Sequence, residues 1–325
     1  MTVIDIHTHM LSEAWMDLLR QHGAPEIELR PTPSGAEALF EDGVQSFTPC
    51  PEMFDYALRI KDMDAASIDI SIVSLTGPSV YWGDAATSAR AARLINDNMR
   101  DAQTAYPDRI RYLATLPWQH PDHALAELDR ATANGAVGVM VLANIRGLTL
   151  IDPALAPIWK EIDRRGLPVL VHPTTPPGIA DMDMGRLLPT VGFTFDTALA
   201  IGRMILDGFL DRYPNLSLIA AHGGGTLPYL AGRMDLFFEQ RTPHAERKIA
   251  EPPSTYLGRI HYDSIVFQPT ALKLVLEMGG TGQVMFGTDY PHPADIPLLL
   301  GLVDDLPAKD AAAVKGGNAV RLFGL

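Results

Sequence analysis

The sequence predicts an α/β fold, a single (β/α)8 barrel spanning residues 1–325 with a small insertion after the first strand. Three observations predict it. Eight short apolar, β-branched runs recur along the chain, and stretches of helical periodicity separate them. Side chains with metal-binding chemistry stand at the C-terminal ends of four runs. Strand alternating with helix eight times describes a parallel sheet closed on itself. The 325 residues, 47% hydrophobic and 20% charged, can bury one large core. An open doubly wound sheet is the alternative. Its dinucleotide-binding version has no support, because no G-x-G-x-x-G follows the first strand.

The elements follow in order. VIDIHTH (3–9) is the first strand. Residues 10–68 then hold far more chain than one helix needs. They contain a helix, SEAWMDLLRQ, and a polar Pro/Gly-containing stretch over 23–51. A second helix, PEMFDYALRIKDMDAASI, follows. The 23–51 stretch is expected to be a small hairpin forming a lid over the barrel mouth, as long loops of this kind often do. DISIVSLTG (69–77) is the second strand, and AATSARAARLINDNMRDAQTAYP leads to the third, IRYLATLPW (110–118). HALAELDRATANG precedes the fourth, AVGVMVLAN (136–144), and APIWKEIDRRG precedes the fifth, LPVLVHP (167–173). TALAIGRMILDGFLDRYP leads to LSLIAAHGG (216–224). A charged, Pro-containing segment over 240–257 is expected to be a solvated connection. RIHYDSIV (259–266) and QVMFGTDYP (283–291) complete the eight. Several helical stretches close on Gly or Pro, as helix ends do.

Composition narrows the function classes. A net charge of −13 argues against nucleic acid or an anionic membrane as partner. No apolar run reaches transmembrane length, and the first residues carry no basic or apolar leader, so a cytoplasmic location is expected. The one cysteine, Cys50, provides neither a disulfide framework nor a Cys-rich zinc site.

The chemistry gathers at the strand ends. His7 and His9 are two residues apart, so on a strand both imidazoles leave the same face. His172 ends the fifth run, His222 the sixth and Asp289 the eighth. In such a barrel these ends form the active-site mouth. Strands one and eight become neighbours on closure, which brings Asp289 beside the histidine pair. Three imidazoles and a carboxylate suit one divalent ion, zinc first, with manganese, iron or cobalt also able to bind. Five candidate ligands exceed a usual catalytic zinc complement. One of them is therefore free for acid–base work on a metal-bound water or on the substrate, for which histidine is the natural residue.

Other residues are expected near the mouth with less to single them out. Asp5 shares the face of His7 and His9 and either orients a ligand or is a hydrogen-bonded barrel residue. Asp263, near the end of the seventh run, is a candidate substrate contact, and so is His292, just past Asp289. Trp82 and Trp118 are candidates for apolar wall around a planar ligand. The AHGGGT glycines lack a following G-K-[ST], which excludes a phosphate-binding loop; a tight turn explains them. His22, His120, His123 and His244 lack partners in sequence and are expected at the surface.

The spacing of HTH, LVHP, AHGGG and GTDYPHP closely resembles the amidohydrolase superfamily. More narrowly, it resembles the branch of metal-dependent decarboxylases that includes aminocarboxymuconate-semialdehyde decarboxylase. The resemblance runs nearly end to end and includes RIKDMDAASID and AHGGGTLPYLAGRMD. It implies that His7, His9, His172 and Asp289 hold the metal and that His222 is the acid/base. Binuclear members carry a carboxylated lysine on the fourth strand; AVGVMVLANI has none, so one metal is expected. The resemblance also implies a homodimer, because the arginine matching Arg233 serves the neighbouring subunit's site. A second family arginine, which clamps the substrate carboxylate, is matched by Phe47. The expected activity is a non-oxidative carboxy-lyase on a small unsaturated or aromatic carboxylic acid. A hydrolase or hydratase on the same site is the alternative, with His222 or Asp289 activating water. A barrel that binds metal without turnover has no need of a spare acid/base.

Overall fold

The computed structural model describes residues 2–182, 186–292 and 295–325. Its main sheet has eight parallel strands in sequence order: β1 (Ile4–His9), β2 (Ile70–Ser74), β3 (Ile110–Thr115), β4 (Gly138–Leu142), β5 (Pro168–His172), β6 (Ser217–Ala220), β7 (His261–Asp263) and β8 (Val284–Met285). Each lies inside one of the eight predicted runs. The ring closes between β8 and β1. Ile6 donates its amide to Phe286 O at 3.0 Å, Asp289 donates to His7 O at 2.8 Å, and Thr8 bridges Tyr290 in parallel register.

Every residue of β1, β4 and β5 is buried. Parallel strands covered by helices are apolar on both faces, which is why continuous runs rather than alternation marked them. Polar side chains cap several flanking helices, as N-cap chemistry favours. Ser12 caps Glu13–His22, Asp55 caps Tyr56–Ala66 and Asp84 caps Ala85–Ala105. Gly166 closes Ala156–Arg165 in the left-handed conformation (φ 62°). No helix among the described residues is long and apolar enough to cross a membrane.

Two predicted segments differ in detail. The insertion is an antiparallel sheet of three strands, Ile27–Pro31, Glu37–Glu41 and Val44–Phe47, not one hairpin. The third strand arises because Asp42 (φ 48°) and Gly43 (φ 87°) form a tight reversal with two positive φ angles. Two contacts join this sheet to loops at the barrel mouth. Thr175 Oγ1 donates to Glu41 at 2.8 Å, and Arg146 meets Asp42 at 3.4 Å. The connection over 240–257 is not solvated throughout: Ile249, Tyr256 and Leu257 are buried, because the short helix Pro253–Leu257 docks on the barrel.

Candidate metal centre

The five predicted residues meet at the C-terminal end of the barrel. His7 and His9 come from β1 and are fully buried; His172 is the last residue of β5. His222 and Asp289 lie just past β6 and β8, each with a left-handed backbone (φ 55° and 61°). A non-glycine residue held there costs roughly 1–3 kcal/mol and persists only where its surroundings enforce it. The enforcement after β6 is visible. A Cβ on Gly225 (φ 61°) would stand 2.0 Å from Thr194 O, so this turn requires glycine to approach the neighbouring backbone.

The ring nitrogens converge. His7 Nε2 is 3.1 Å from His9 Nε2, and Asp289 Oδ1 is 3.0 Å from His9 Nε2 and 3.4 Å from His7 Nε2. Asp289 Oδ2 faces His222 Nε2 at 3.3 Å. The ligand atoms of His7, His172, His222 and Asp289 all lie within 4.8 Å of one another, as do those of His9, Asp289 and His292. Distance alone therefore does not divide ligands from acid/base.

The far sides of the rings differ. His7 Nδ1 bonds Asp263 Oδ2 at 2.7 Å, His172 Nδ1 donates to Pro173 O at 2.7 Å, and His9 Nδ1 is 3.3 Å from Ser74 Oγ. A ring anchored through Nδ1 presents Nε2 as a lone pair, the arrangement that metal-binding histidines use. His172 Nε2 is buried with no partner, an acceptor left aimed into the cluster. His222 differs: it is its Nδ1 that is buried without a partner.

Electrostatics points to missing positive charge. Burial raises Asp289, but hydrogen bonds from His222, His7 and His9 outweigh it and hold the carboxylate well below its usual range. Burial lowers His7, yet hydrogen bonds to Asp263 and Asp289 push it up to about 10. His9 falls to about 3 and His172 well below its ordinary value, both chiefly through burial. The buried Asp263 and the half-buried Asp289 thus favour positive charge where three Nε2 atoms meet. A divalent ion supplies it without protonating its ligands, so the residues fit a metal.

The weaker candidates separate. Asp263, a candidate substrate contact, lies behind the His7 ring. It is fully buried, its Oδ2 takes His7 Nδ1 and the His222 amide (2.8 Å), and its Oδ1 accepts the Gly223 amide (2.8 Å). Those bonds occupy the carboxylate, which orients His7 and the His222 turn. Asp5 is a buried barrel residue that bonds Thr288 Oγ1 at 2.6 Å, next to Asp289. Trp82 is packed edge-on against Trp15, its Nε1 donating to Ser79 O, and Trp118 lies against Trp159 in the core. The contacts that both rings make are those of packing. His292 and Phe47 do reach the site. The His292 ring is 5.4 Å from that of His9, Phe47 is 5.4 Å from His292, and His292 Nε2 is 3.3 Å from Thr76 Oγ1.

Arg233 is exposed on the helix Leu227–Gln240, its guanidinium 4.9 Å from the Phe237 ring centroid. Tyr229, Leu236 and Phe237 of the same helix are exposed, as are Phe195 and Leu199 on the helix Phe193–Leu206. The first turns of the two helices touch where Thr226 N meets Thr194 O. A residue that pattern alone did not single out is Arg59. Its signal is a cation four positions before Met63, on the buried face of its helix.

Comparison with known proteins agrees with this geometry. Residues 4–325 match the sequence profile of a family described as amidohydrolase. The 2-amino-3-carboxymuconate-6-semialdehyde decarboxylase of Dictyostelium discoideum is 31% identical, over 99% of this chain and 91% of its own length. The crystal structure of 5-carboxyvanillate decarboxylase from Sphingomonas paucimobilis superposes with a TM-score of 0.87 at 26% identity, covering 100% of this chain and 99% of that one. A 5-carboxyvanillate decarboxylase from Novosphingobium aromaticivorans, solved with bound manganese, gives 0.83 at 25% identity, covering 100% and 97%.

Proposed function

This chain belongs to the amidohydrolase family, and from that premise we propose that it is a mononuclear, non-oxidative decarboxylase of a small aromatic or unsaturated carboxylic acid. The observation that carries the reading is three rings anchored through Nδ1, with Nε2 atoms converging on Asp289, and a fourth, His222, set on that carboxylate's other oxygen. His7, His9, His172 and Asp289 would hold the metal. Zinc is the first candidate from the donor set; the manganese-bound relative makes manganese the second. Elemental analysis is expected to find about one equivalent per chain.

When bound, the metal supplies a Lewis acid for the substrate's carboxylate and the oxygen beside it. The protein does the rest. Asp263 keeps His7 in one tautomer. Asp289 steadies the protonated form of His222. His222 passes its proton to the carbon bearing the carboxylate, which draws a pair from the conjugated system. The C–C bond then breaks, its electron pair returns to the conjugated system, and carbon dioxide leaves. His222 regains a proton from solvent. Assaying aromatic and muconate-type acids for carbon dioxide release, beside lactones for acid release, tests the class. Release of acid from lactones with no carbon dioxide from any acid supports the hydrolase alternative instead.

Phe47 gives this site its own selectivity. A guanidinium clamps a carboxylate by paired, charge-assisted bonds that phenylalanine cannot make. Phenylalanine offers an apolar ring that is already largely buried, so covering what remains contributes less than the roughly 1.5–3 kcal/mol of full burial. The preferred substrate turns an apolar or aromatic edge to Phe47 and its single carboxylate to the metal. Phe47→Arg is expected to raise kcat/KM for doubly charged acids relative to singly charged aromatic ones. An unchanged ranking across a substrate series refutes this role.

We take the working form as a homodimer in which Arg233 reaches the partner's site, with exposed apolar side chains of its own helix, Tyr229, Leu236 and Phe237, beside it. Inactive Arg233→Ala and inactive His172→Ala, mixed after subunit exchange, are expected to regain part of the lost activity. No recovery after proven exchange places Arg233 outside the site. The cytoplasm is the compartment we assign, a reducing setting that suits the unpaired Cys50.

A further inference from the structure

Against the strand end that carries His9 lies a buried cation that the proposed chemistry does not use. Arg59 is 1% exposed, on the helix Tyr56–Ala66. Its Nη2 donates to His9 O at 2.5 Å, its Nη1 to Thr8 Oγ1 at 2.6 Å, and its Nε to Met10 Sδ at 2.8 Å. Three donors thus grip three consecutive residues of the strand end that carries His9. The flat face of the guanidinium lies 4.7 Å from the Tyr290 ring centroid. Tyr290 follows Asp289, and its carbonyl accepts from both Thr8 Oγ1 (2.9 Å) and His9 N (2.8 Å). One turn along the same helix, Asp62 accepts the Tyr290 hydroxyl at 2.5 Å. A single helix therefore holds both the strand bearing His9 and the turn bearing Asp289.

Burying a guanidinium is costly unless its donors are satisfied, and among the described residues no carboxylate lies within 4.0 Å of it. A methionine would fill the same apolar space at lower cost. What the guanidinium adds is direction, since its planar fork fixes several acceptors at once.

We propose that Arg59 is a positioning residue that sets the separation of His9 from Asp289 and so tunes the affinity of the metal site; this rests on the metal centre assigned above. The ligands belong to segments far apart in sequence, and β8 itself contributes only Val284 and Met285 to the sheet. Backbone hydrogen bonds such as His9 N to Tyr290 O and Asp289 N to His7 O run along this seam, and Arg59 with Thr8 adds side-chain bonds that brace it where the sheet is shortest. Groups that orient metal ligands typically change affinity by about 10–100-fold when removed.

The test titrates metal-free protein with zinc and with manganese against a chromophoric competitor, for wild type, Arg59→Lys, Thr8→Val and His172→Ala. Arg59→Lys keeps the charge and loses the fork. It is expected to raise the metal Kd about 10–100-fold, while kcat at saturating metal stays near wild type. Thr8→Val removes only the hydroxyl between Arg59 and Tyr290 O, and is expected to shift Kd in the same direction by less. It decides the matter if Arg59→Lys does not fold. Kd values within twofold of wild type for these variants, with a lowered Tm of the metal-free form, overturn the proposal and leave Arg59 as structural support. Equal Kd for wild type and His172→Ala instead overturns the metal centre itself, so the two failures are distinct.

Discussion

His222→Ala is expected to keep its metal and lose nearly all turnover. General acid–base catalysis contributes about 10²–10⁴-fold, and the alanine leaves nothing in its place to carry the proton. The geometry makes the result informative, because His222 Nε2 faces Asp289 Oδ2 while Asp289 Oδ1 faces His7 and His9. An acid/base and a ligand would thus share one carboxylate. Elemental analysis and steady-state rates on the same preparation decide between them. A variant that loses its metal along with its activity makes His222 a ligand. One that keeps both metal and rate removes it from the chemistry.

Stripping the metal is expected to abolish activity and to lower the thermal midpoint. Binding at a free concentration a thousand times Kd adds about 4 kcal/mol to stability, roughly 6 °C of Tm for a chain of this size. The same result is expected for His172→Ala without any chelator, since the Nε2 it removes is the buried acceptor left without a partner. Calorimetry before and after chelation, then after adding zinc or manganese back, reads both effects. Full activity and an unshifted midpoint in protein proven free of metal contradict the assignment.

The barrel was legible because parallel strands covered on both faces are apolar along their whole length, and a short apolar run is hard to hide. The converging histidines were legible because barrel topology sends every strand end to one mouth. Phe47 was legible only through resemblance; nothing in VQSFTPC announces a wall. What escaped depended on partners distant in sequence. Facing direction along β7 puts Asp263 near the mouth, but not the two amides and the His7 ring that occupy its carboxylate. Trp82 reads as a ligand wall until Trp15 is packed against it. Arg59 sits in RIKDMDAASI, where charges on both sides suggest a solvated face. The third strand of the insertion rested on two residues, Asp42 and Gly43, whose positive φ angles composition does not reveal.

Closure of the ring through β1 and β8 has a consequence for how the protein is made. Asp289 comes 280 residues after His9, so during synthesis the first strand waits unpaired on one side until that span has left the ribosome. Intermediate barrels with an open seam expose a sheet edge, the kind of surface that aggregates. With the ligand set proposed above, metal capture would wait for that closure. Expression in metal-poor medium is then expected to lower the yield of soluble protein as well as its occupancy, because the ion would also fasten the first strand to the eighth.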